Sequence, residues 1–392
     1  MKDSIVIVSA KRTPVGSMNG QFVDVTAPEL GAAAIKAVLA ESGVNPEDIN
    51  EAIFGCVLPA GVGQAPARQA VLRAGLPNAI ACTTLNKVCG AGMKAVMLAH
   101  DLIVAGSANI VLAGGMESMS NAPHLLPKAR QGYRLGPVKV LDHMTYDGLE
   151  DAYEGKAMGV YAEATAEKYG FTREQQDAFA RESVTRAQRA VALGTFEAEI
   201  APVTVKGKGG DIIIDTDETP GKCKIEKIPT LRPAFKPNGT ITAASSSSIA
   251  DGAAAFLVMK ESEAKARRIA PLARILGHTT NAQEPQWFTT APIGAITKLQ
   301  RRLGWTAKDV DLYEINEAFA PVTMAAMKDL GLSHEKVNVN GGACALGHPI
   351  GASGGRILVT LLHALRARGG RHGIASLCIG GGEATAIAVE MC

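Results

Sequence analysis

Two cysteines and one histidine stand in glycine-rich segments unlike the rest of the chain. Cys89 is set in Asn-Lys-Val-Cys-Gly-Ala-Gly, Cys378 in Ser-Leu-Cys-Ile-Gly-Gly-Gly and His348 in Gly-His-Pro-Ile-Gly. A nucleophilic thiol needs a partner that takes and returns a proton, which an imidazole or a second thiol can supply. The three residues therefore predict covalent thiol chemistry. The other cysteines lack this setting and are interpreted as small apolar fillers or surface thiols: Cys56, Cys82, Cys223, Cys344 and Cys392.

Cys89 precedes a segment, from Met93 to Ala105, that is apolar nearly all round. Such a segment is typical of a buried central helix, and it places Cys89 at the helix N-terminus. There the free backbone N–H groups and the positive end of the dipole favour a thiolate. The alternative is a buried structural cysteine in a tight turn, and this motif alone leaves the two interpretations open.

Three other residues are candidate partners of the Cys89 thiol. His348 precedes Pro349, so its backbone is held extended in a glycine-dense loop before a helix. Cys378 precedes three glycines, whose N–H groups could receive an oxyanion, and it could itself act as acid and base or form a disulfide. Asn316 follows an apparent strand and could orient a water, although taken by itself it is better explained as an asparagine in a turn.

One motif is a decoy. Gly351-Ala-Ser-Gly-Gly355 matches the hydrolase pattern G-x-S-x-G, which needs an acid and then a histidine after the serine. No aspartate follows Ser353, and both later glutamates come after the last histidine. The sequence also has no phosphate-binding loop, no dinucleotide fingerprint and no paired Cys/His spacing of a metal site. We therefore predict no serine hydrolase, no bound metal and no permanently bound cofactor.

Short apolar runs alternate with helical segments, which favours a layered α/β architecture with buried strands. Gly43 and Gly106 are natural stops for two of the helices. The predicted strands are Ser4–Ala10, Ala52–Val57 and Ile110–Ala113, and the predicted helices are Glu29–Ser42, Met93–Ala105 and Arg356–Arg366.

Composition excludes several classes of protein. The 392 residues are 47% hydrophobic and 20% charged with a net charge of +2, which is typical of a globular chain and gives no basic footprint for nucleic acid. No apolar run reaches the length of a membrane span. Cysteines without Cys-x-x-Cys spacing favour a reducing cytoplasm.

The outer thirds of the chain resemble each other. The segment from Ser42 to Asn50 is echoed from Leu303 to Asp311, and Ile110–Glu117 is echoed by Ala375–Glu383. Between them lies a charged stretch that holds five of the six tyrosines. We predict a first half formed by 1–120 with 251–270, an inserted loop domain at 121–250, and a second half at 271–392.

Taken together, the motifs resemble the thiolase family. Asn-x-x-Cys-Gly around Cys89, Gly-Gly-Met-Glu-Ser at 114–118, Asn-Glu-Ala-Phe at 316–319, Gly-His-Pro-Ile-Gly at 347–351 and Cys-Ile-Gly-Gly-Gly at 378–382 occur in family order. The resemblance runs over essentially the whole chain. It implies a five-layered αβαβα fold of two related halves plus the inserted domain, and a homo-oligomer, either a dimer or a tetramer.

The resemblance also implies roles for the residues. Cys89 matches the nucleophile that takes an acyl group from acyl-CoA, His348 the base that activates it, and Cys378 the acid/base for the second acetyl-CoA. Asn316 matches a residue that holds a water in one oxyanion hole, and the N–H of Gly380, with that of Cys89, matches the other. Positions that match the coenzyme A site are Ser247, Met158, Phe235, Ala318 and Phe319.

The chain departs from the family pattern in several places. Ala91 stands where many members have serine, and Ala157 stands where acetoacetyl-CoA thiolases commonly have a histidine that helps to hold CoA. An arginine that often packs on adenine is missing, and Lys222 or Lys224 would replace it through phosphate contacts unless both belong to a solvated loop. In contrast, Trp287-Phe288 stands where a bulky residue narrows the acyl pocket of short-chain members.

These features lead to three hypotheses. The first is a cytoplasmic acetyl-CoA acetyltransferase of fatty acid metabolism, a homotetramer that joins two acetyl-CoA into acetoacetyl-CoA and CoA reversibly by ping-pong kinetics. The second is a degradative 3-ketoacyl-CoA thiolase of broader chain length. The third is an acyl-CoA-binding protein that has lost catalysis, although the retained Cys89, His348 and Cys378 disfavour it. A carrier-protein synthase would need a second histidine in place of Cys378.

Overall fold

The computed structural model describes residues 3–207 and 209–392. Its strands are β1 Ile5–Arg12, β2 Gly16–Ser17, β3 Glu51–Gly55, β4 Ala81–Leu85, β5 Ile110–Ser118, β6 His124–Leu125, β7 Leu141–Asp142, β8 Val203–Gly207, β9 Gly210–Ile214, β10 Ala250–Lys260, β11 Ala273–Ala282, β12 Leu312–Ile315, β13 His372–Ile379 and β14 Glu383–Met391. Its α-helices are α1 Ala27–Ser42, α2 Pro66–Arg73, α3 Ala91–Ala105, α4 Met158–Tyr169, α5 Arg173–Ala192, α6 Glu218–Lys222, α7 Glu261–Ala266, α8 Ala291–Leu303, α9 Ala320–Leu330, α10 Ala343–Leu346 and α11 Ile350–Arg368.

The two outer thirds fold with the same topology. In the first, β3 and β5 pair in parallel, and β5, β10 and β1 follow as antiparallel neighbours. In the second, β12 and β13 pair in parallel, and β14 and β11 follow as antiparallel neighbours. In each half, the strand that comes first in the chain, β1 or β11, is followed by a helix, α1 or α8, and by a 3-10 turn. The chain then enters β3 or β12, which is paired in parallel with its neighbour. The predicted relation between the halves is therefore confirmed in the order of elements.

The two sets of strands join between β1 and β11, through two residue pairs only. Helices α3 and α11 lie between them, because side chains of both helices share one core with strands of both halves. A second core packs α1 and α2 against the outer face of the first half, and a third packs α8 and α9 against the outer face of the second. The result is the expected five-layered αβαβα arrangement.

The two central helices touch through glycines. A Cβ added at Gly92 of α3 would lie 2.9 Å from the backbone nitrogen of Gly355 and 3.1 Å from the carbonyl oxygen of Gly351. A Cβ added at Gly354 would lie 2.6 Å from the backbone nitrogen of Met93. Real Cβ atoms essentially never lie within 3.0 Å of such an atom, so neither position has room for a side chain. The glycines around His348 therefore serve helix packing as well as the loop.

The predicted elements are confirmed, with shifted ends. The strands became β1, β3 and β5 and the helices became α1, α3 and α11, with Gly43 and Gly106 left-handed at φ 65° and 77°. The prediction that no apolar run reaches the length of a membrane span was wrong, because the segment 88–105 is long and apolar enough by length and composition alone, and half of it is buried. Its place against α11 and both halves is that of a core helix.

The region between β5 and β10 contains helices α4 and α5 and two small hairpins, whereas a short turn joins the matching strands β13 and β14. The inserted region of the first half therefore has no counterpart in the second. Two helices of this region begin or run beside the candidate site: Met158 starts α4, and Ser183 of α5 donates to buried Glu317 at 2.6 Å.

Candidate active site

Cys89 and His348 occupy equivalent places in the two halves. Each immediately precedes the residue that caps a central helix: Gly90 caps α3, and Pro349 caps α11. The predicted helix N-terminus at Cys89 is thus present, and the same position in the second half carries the imidazole. Because α3 and α11 are in contact, their N-terminal ends present the thiol and the imidazole to the same space.

That space is a cavity of about 300 Å³. Cys89, His348 and Gly380 line it, and its wall is otherwise largely apolar. The remaining lining residues are Thr145, Gly148, Leu149, Ala157, Met158, Gly159, Phe235, Ser246, Ser247, Ile249, Phe288, Ala318, Phe319 and Ile350. All five residues that match the CoA site in the family resemblance lie in this lining.

Asn316 and Cys378 lie directly behind the wall. Asn316 follows β12, and because β12 runs parallel to β13 its N–H donates to the carbonyl of Ser376 at 3.0 Å. Asn316 and Cys378 are buried, at 1% and 0% exposure. The Nδ2 of Asn316 lies 3.4 Å from Nδ1 of His348, and Cys378 packs with Met158, Phe319 and other lining residues. Their chemical roles stay predictions.

Ser247 and Ser248, which lie at the end of the inserted region, form hydrogen bonds with segments of the site. The N–H and the hydroxyl of Ser247 both donate to the carbonyl of Ala318 at 3.0 Å. The N–H of His348 donates to the carbonyl of Ser248 at 2.9 Å. Ser247 therefore ties the Asn-Glu-Ala-Phe segment to the His348 loop and also faces the cavity.

Ser353, which belonged to the rejected hydrolase pattern, sets the tautomer of His348. Its hydroxyl lies 2.6 Å from Nδ1 of His348 and 2.9 Å from the carbonyl oxygen of Pro349. When the hydroxyl hydrogen goes to the carbonyl, the oxygen accepts from an N–H at Nδ1, and this is the tautomer that leaves Nε2 unprotonated. Nε2 then carries the lone pair, and it has no hydrogen-bond partner among residues 3–207 and 209–392. The ring presents a free acceptor.

Electrostatics keep that acceptor neutral. Burial, with a further contribution from the nearby Arg356 guanidinium, lowers the pKa of His348 to about 3. Arg356 is itself buried and donates to Oδ1 of Asn316 at 3.4 Å. A neutral imidazole with a free nitrogen suits proton abstraction, because the charged form would have no lone pair to offer.

The surroundings of Cys89 oppose the stabilised thiolate that the helix terminus alone would favour. Burial raises the pKa of Cys89 to about 11, and the N–H groups of Gly380 and of Cys89 itself lower it only in part. The helix terminus is in place, but desolvation of the anion outweighs it. Burial, and then the neighbouring Cys89, also raises the pKa of Cys378 well above its ordinary value. Both thiols therefore need a base.

Val88, directly before Cys89, holds a strained backbone. Its φ is 46°, a left-handed conformation that is costly for a β-branched residue. The side chain of Asn86 accepts from its N–H at 2.8 Å, and the N–H of Ala91 donates to its carbonyl at 3.0 Å. Sequence reasoning missed this residue, since no composition signal marks a strained valine. The strain turns the chain so that Cys89 enters the cavity.

Glu117 is a second residue that sequence reasoning missed, although it lies in a quoted motif. Its buried carboxylate accepts from the N–H groups of Val57, Leu58 and Gly351 at 3.0, 3.2 and 2.9 Å. Burial raises its pKa to about 7, against the lowering effect of these donors. By holding Gly351, Glu117 fixes the first turn of α11 beside His348.

Three predicted positions lie away from the cavity lining. Lys222 forms an ion pair with Glu218 and lies 3.5 Å from the hydroxyl of Ser17, and Lys224 is exposed. Their part in binding phosphates stays a prediction. Of the bulky pair, Phe288 narrows the cavity, whereas Trp287 stacks under the Lys168 ammonium at 4.1 Å.

Comparison with known proteins agrees with this geometry. The sequence model of the thiolase N-terminal domain matches residues 5–262, and that of the thiolase C-terminal domain matches residues 269–391. The chain belongs to the thiolase family. The predicted resemblance is thus confirmed over nearly the full length of this thiolase.

Individual relatives match this thiolase from end to end. The acetyl-CoA acetyltransferase of Chromobacterium violaceum is 50% identical over 98% of this chain and 99% of its own. Acetyl-CoA acetyltransferase 2 of Arabidopsis thaliana is 49% identical over 99% of this chain and 97% of its own. The solved Bacillus anthracis acetyl-CoA acetyltransferase is 38% identical with a TM-score of 0.97, covering 100% of this chain and 99% of that one. The likeness extends to the whole fold.

Proposed function

We propose that this thiolase is an acetyl-CoA acetyltransferase, which joins two acetyl-CoA into acetoacetyl-CoA and CoA and runs the reverse cleavage. The observation that supports this most is that Cys89 and His348 line one small apolar cavity, and that Nε2 of His348 has no hydrogen-bond partner among residues 3–207 and 209–392. Relatives about half identical over the full chain carry that name. Acetyl-CoA, acetoacetyl-CoA and CoA are substrates in this scheme, and no bound cofactor takes part.

The first half-reaction moves an acetyl group from sulfur to sulfur. Nε2 of His348 takes the proton of Cys89, and the thiolate attacks the acetyl-CoA carbonyl. The N–H groups of Cys89 and Gly380 face the Cys89 sulfur and would donate to the oxyanion. CoA leaves as a thiolate and takes the proton from the imidazolium. The neutral pair at rest becomes charged only while the acyl group moves.

The second half-reaction forms the carbon–carbon bond. Burial raises the pKa of the Cys378 thiol, so it must first give its proton to a base, and the neutral imidazole of His348 is the group that would take it. The Cys378 thiolate then removes a proton from the methyl group of a second acetyl-CoA. The enolate attacks the acetylated Cys89, whose thiolate leaves and takes the proton from the imidazolium. The enolate oxygen needs donors, which a water held by Asn316 with His348 would supply. One such donor is typically worth about 3–4 kcal/mol, so Asn316→Ala slows turnover on the order of hundreds-fold.

Phe288 supports a short acyl chain. It is 3% exposed and narrows the cavity together with Met158 and Leu149. Each extra methylene that cannot enter an apolar pocket costs about 1–3 kcal/mol of discrimination. Acetoacetyl-CoA therefore fits better than longer 3-ketoacyl-CoA esters.

A broader chain-length thiolase is the second candidate, favoured by a neighbouring cavity. That cavity, of about 380 Å³, shares Gly148, Met158 and Gly380 with the catalytic one. A long acyl chain could enter it past Met158. Its wall also carries three carboxyl groups, however, on Asp147, Glu150 and Asp151. Alkyl groups gain little beside carboxylates, so we rank this function below the first.

Two measurements test the proposal. The first is intact-protein mass spectrometry after acetyl-CoA addition: the wild type and the Cys82→Ala control should gain one acetyl group, and Cys89→Ala should gain none. Absence of an adduct on the wild type would favour a protein that only binds acyl-CoA. The second compares thiolysis of acetoacetyl-CoA with that of 3-ketohexanoyl-CoA, and a preference for the longer ester would favour the second candidate.

A pair of variants makes the chain-length test sharper. Phe288→Ala should raise the relative rate on 3-ketohexanoyl-CoA, because it removes a ring from the cavity wall. Trp287→Ala is the matched control, because its ring lies under Lys168 and outside the lining. A homotetramer and a cytoplasmic place in fatty acid metabolism also belong to this proposal; light scattering of the purified protein tests the oligomeric state.

A further inference from the structure

Three side chains of metal-binding type meet where α3 passes β11, outside the catalytic cavity. His100 and Asp101 belong to α3, and His278 belongs to β11. The Oδ1 atom of Asp101 lies 3.0 Å from Nδ1 of His100 and 2.9 Å from Nε2 of His278. The two rings are nearly perpendicular, at 87°, with centroids 5.1 Å apart.

The spacing of these atoms fits one coordination sphere. Bonds of about 2.0–2.2 Å from a zinc-type ion to nitrogen and oxygen place neighbouring ligand atoms about 3–3.5 Å apart. The three ligand atoms of His100, Asp101 and His278 all lie within 4.8 Å of one another, and two of the three separations are at or near that range. Within residues 3–207 and 209–392, this is the one group of three His, Cys, Asp or Glu residues that meets the spacing.

We propose that His100, Asp101 and His278 bind a divalent transition-metal ion of the zinc type. The ion would replace the hydrogens on Nδ1 of His100 and Nε2 of His278, which now lie against Oδ1 of Asp101. Each neutral imidazole would then carry its hydrogen on its other ring nitrogen. Two imidazoles and one carboxylate favour zinc, cobalt, nickel or copper over magnesium or calcium, which prefer oxygen ligands. The half-exposed carboxylate leaves further positions to water.

The charged groups around the site sharpen this choice. Lys94, Lys298 and Arg302 line a cleft together with His278. These cationic groups lower the affinity for every divalent ion alike, so only an ion with a high intrinsic affinity for imidazole would stay bound.

The ion would connect the two halves of the molecule. Helix α3 belongs to the first half and β11 to the second, and in the described part of the chain the strands of the two halves are paired between β1 and β11. A metal held by both elements stabilises the folded chain by mass action, because the unfolded chain has no preformed site. The sequence gives no hint of it, since His278 is far from His100 along the chain and no motif spacing connects them.

Cobalt titration tests the proposal on the full-length, chelator-treated protein. We expect one Co²⁺ per chain, with visible d–d absorption, no thiolate charge-transfer band and a raised melting temperature. Asp101→Asn keeps the shape of the side chain, and His278→Ala removes a ligand. Loss of an outer-shell partner already costs about 10–100-fold in affinity, so each of these variants should bind at least about 100-fold more weakly.

His124→Ala is the control, because His124 is an exposed histidine outside the group; it should bind like the wild type. Melting temperatures in chelator show whether each variant folds. No binding by the wild type, equal binding by Asp101→Asn, or a thiolate band that places cobalt on cysteines would each overturn the proposal. In those cases the cluster is a hydrogen-bonded contact between α3 and β11 only.

Discussion

Ser353→Ala should slow catalysis although Ser353 lines no part of the cavity. The hydroxyl accepts from Nδ1 of His348 at 2.6 Å, in a position that is 0% exposed. Without it, the buried N–H has no acceptor, and the ring gains by placing its hydrogen on Nε2 instead. Nδ1 would then face Nδ2 of Asn316, which lies 3.4 Å away and can donate. In that tautomer Nε2 cannot take the proton of Cys89.

The magnitude follows from the cost of a buried donor without a partner, about 1–3 kcal/mol. At about 1.4 kcal/mol for each factor of ten, kcat/KM falls by about 5- to 150-fold. The assay is thiolysis of acetoacetyl-CoA, paired with the rate at which acetyl-CoA acetylates Cys89. Both rates should fall together, because the same proton transfer precedes each.

Ser9→Ala is the matched control. Ser9 is also 0% exposed and its hydroxyl donates to Glu41, far from the cavity. The two variants should lose similar melting temperature, whereas only Ser353→Ala should lose activity. If Ser353→Ala keeps the wild-type kcat/KM, or if both variants lose activity equally, the tautomer argument is wrong.

Three further predictions concern the residues around the thiol. Alkylation of Cys89 by iodoacetamide should rise about tenfold for each pH unit from pH 6 to 10, because its pKa of about 11 leaves the thiolate minor throughout. Val88→Asn should raise the free energy of unfolding in urea by about 1 kcal/mol, because asparagine tolerates the left-handed backbone. Glu117→Gln should lower the melting temperature more at pH 5 than at pH 8. The raised pKa of Glu117 means that the folded chain holds a proton between about 4.5 and 7, so the stability from that group is present at low pH and lost as pH rises.

Each of these has a contradicting result. A plateau in the alkylation rate near neutral pH would show a preformed thiolate at Cys89. An unchanged or lower unfolding midpoint for Val88→Asn would mean that the valine side chain stabilises the turn more than its backbone strains it. Equal melting losses for Glu117→Gln at both pH values would place the pKa of Glu117 in its ordinary range.

Much of the site was predictable because the chemistry sits in short contiguous motifs. Cys89, His348 and Gly380 stand in glycine-rich segments that the sequence marks. The order of helices and strands in the fold brings all three to one cavity. The helix that follows Cys89 was visible in its apolar pattern, and Gly106 marked its end. Local signals of this kind survive without any knowledge of tertiary contacts.

The rest depended on contacts between distant segments. The protonation of Cys89 could not be predicted, because the helix terminus argued for a thiolate and only the packed structure shows how strongly burial opposes it. The role of Ser353 required the hydroxyl to face His348 within one helical turn, a geometry that the hydrolase pattern obscured. The strained backbone of Val88 could not be predicted, because only its φ angle in the structure reveals the left-handed conformation.

The glycine contact between α3 and α11 has a consequence for how this protein can be divided. The spacing of thiol and imidazole depends on two backbones that touch, at Gly92 and Gly354, and each backbone comes from a different half. Neither half expressed alone can assemble a reactive pair, and no flexible linker between them can substitute for that fit. The reactive pair forms only when α3 and α11 are packed against each other in the interior. Enzymatic activity of this protein therefore reports that both halves have folded and docked.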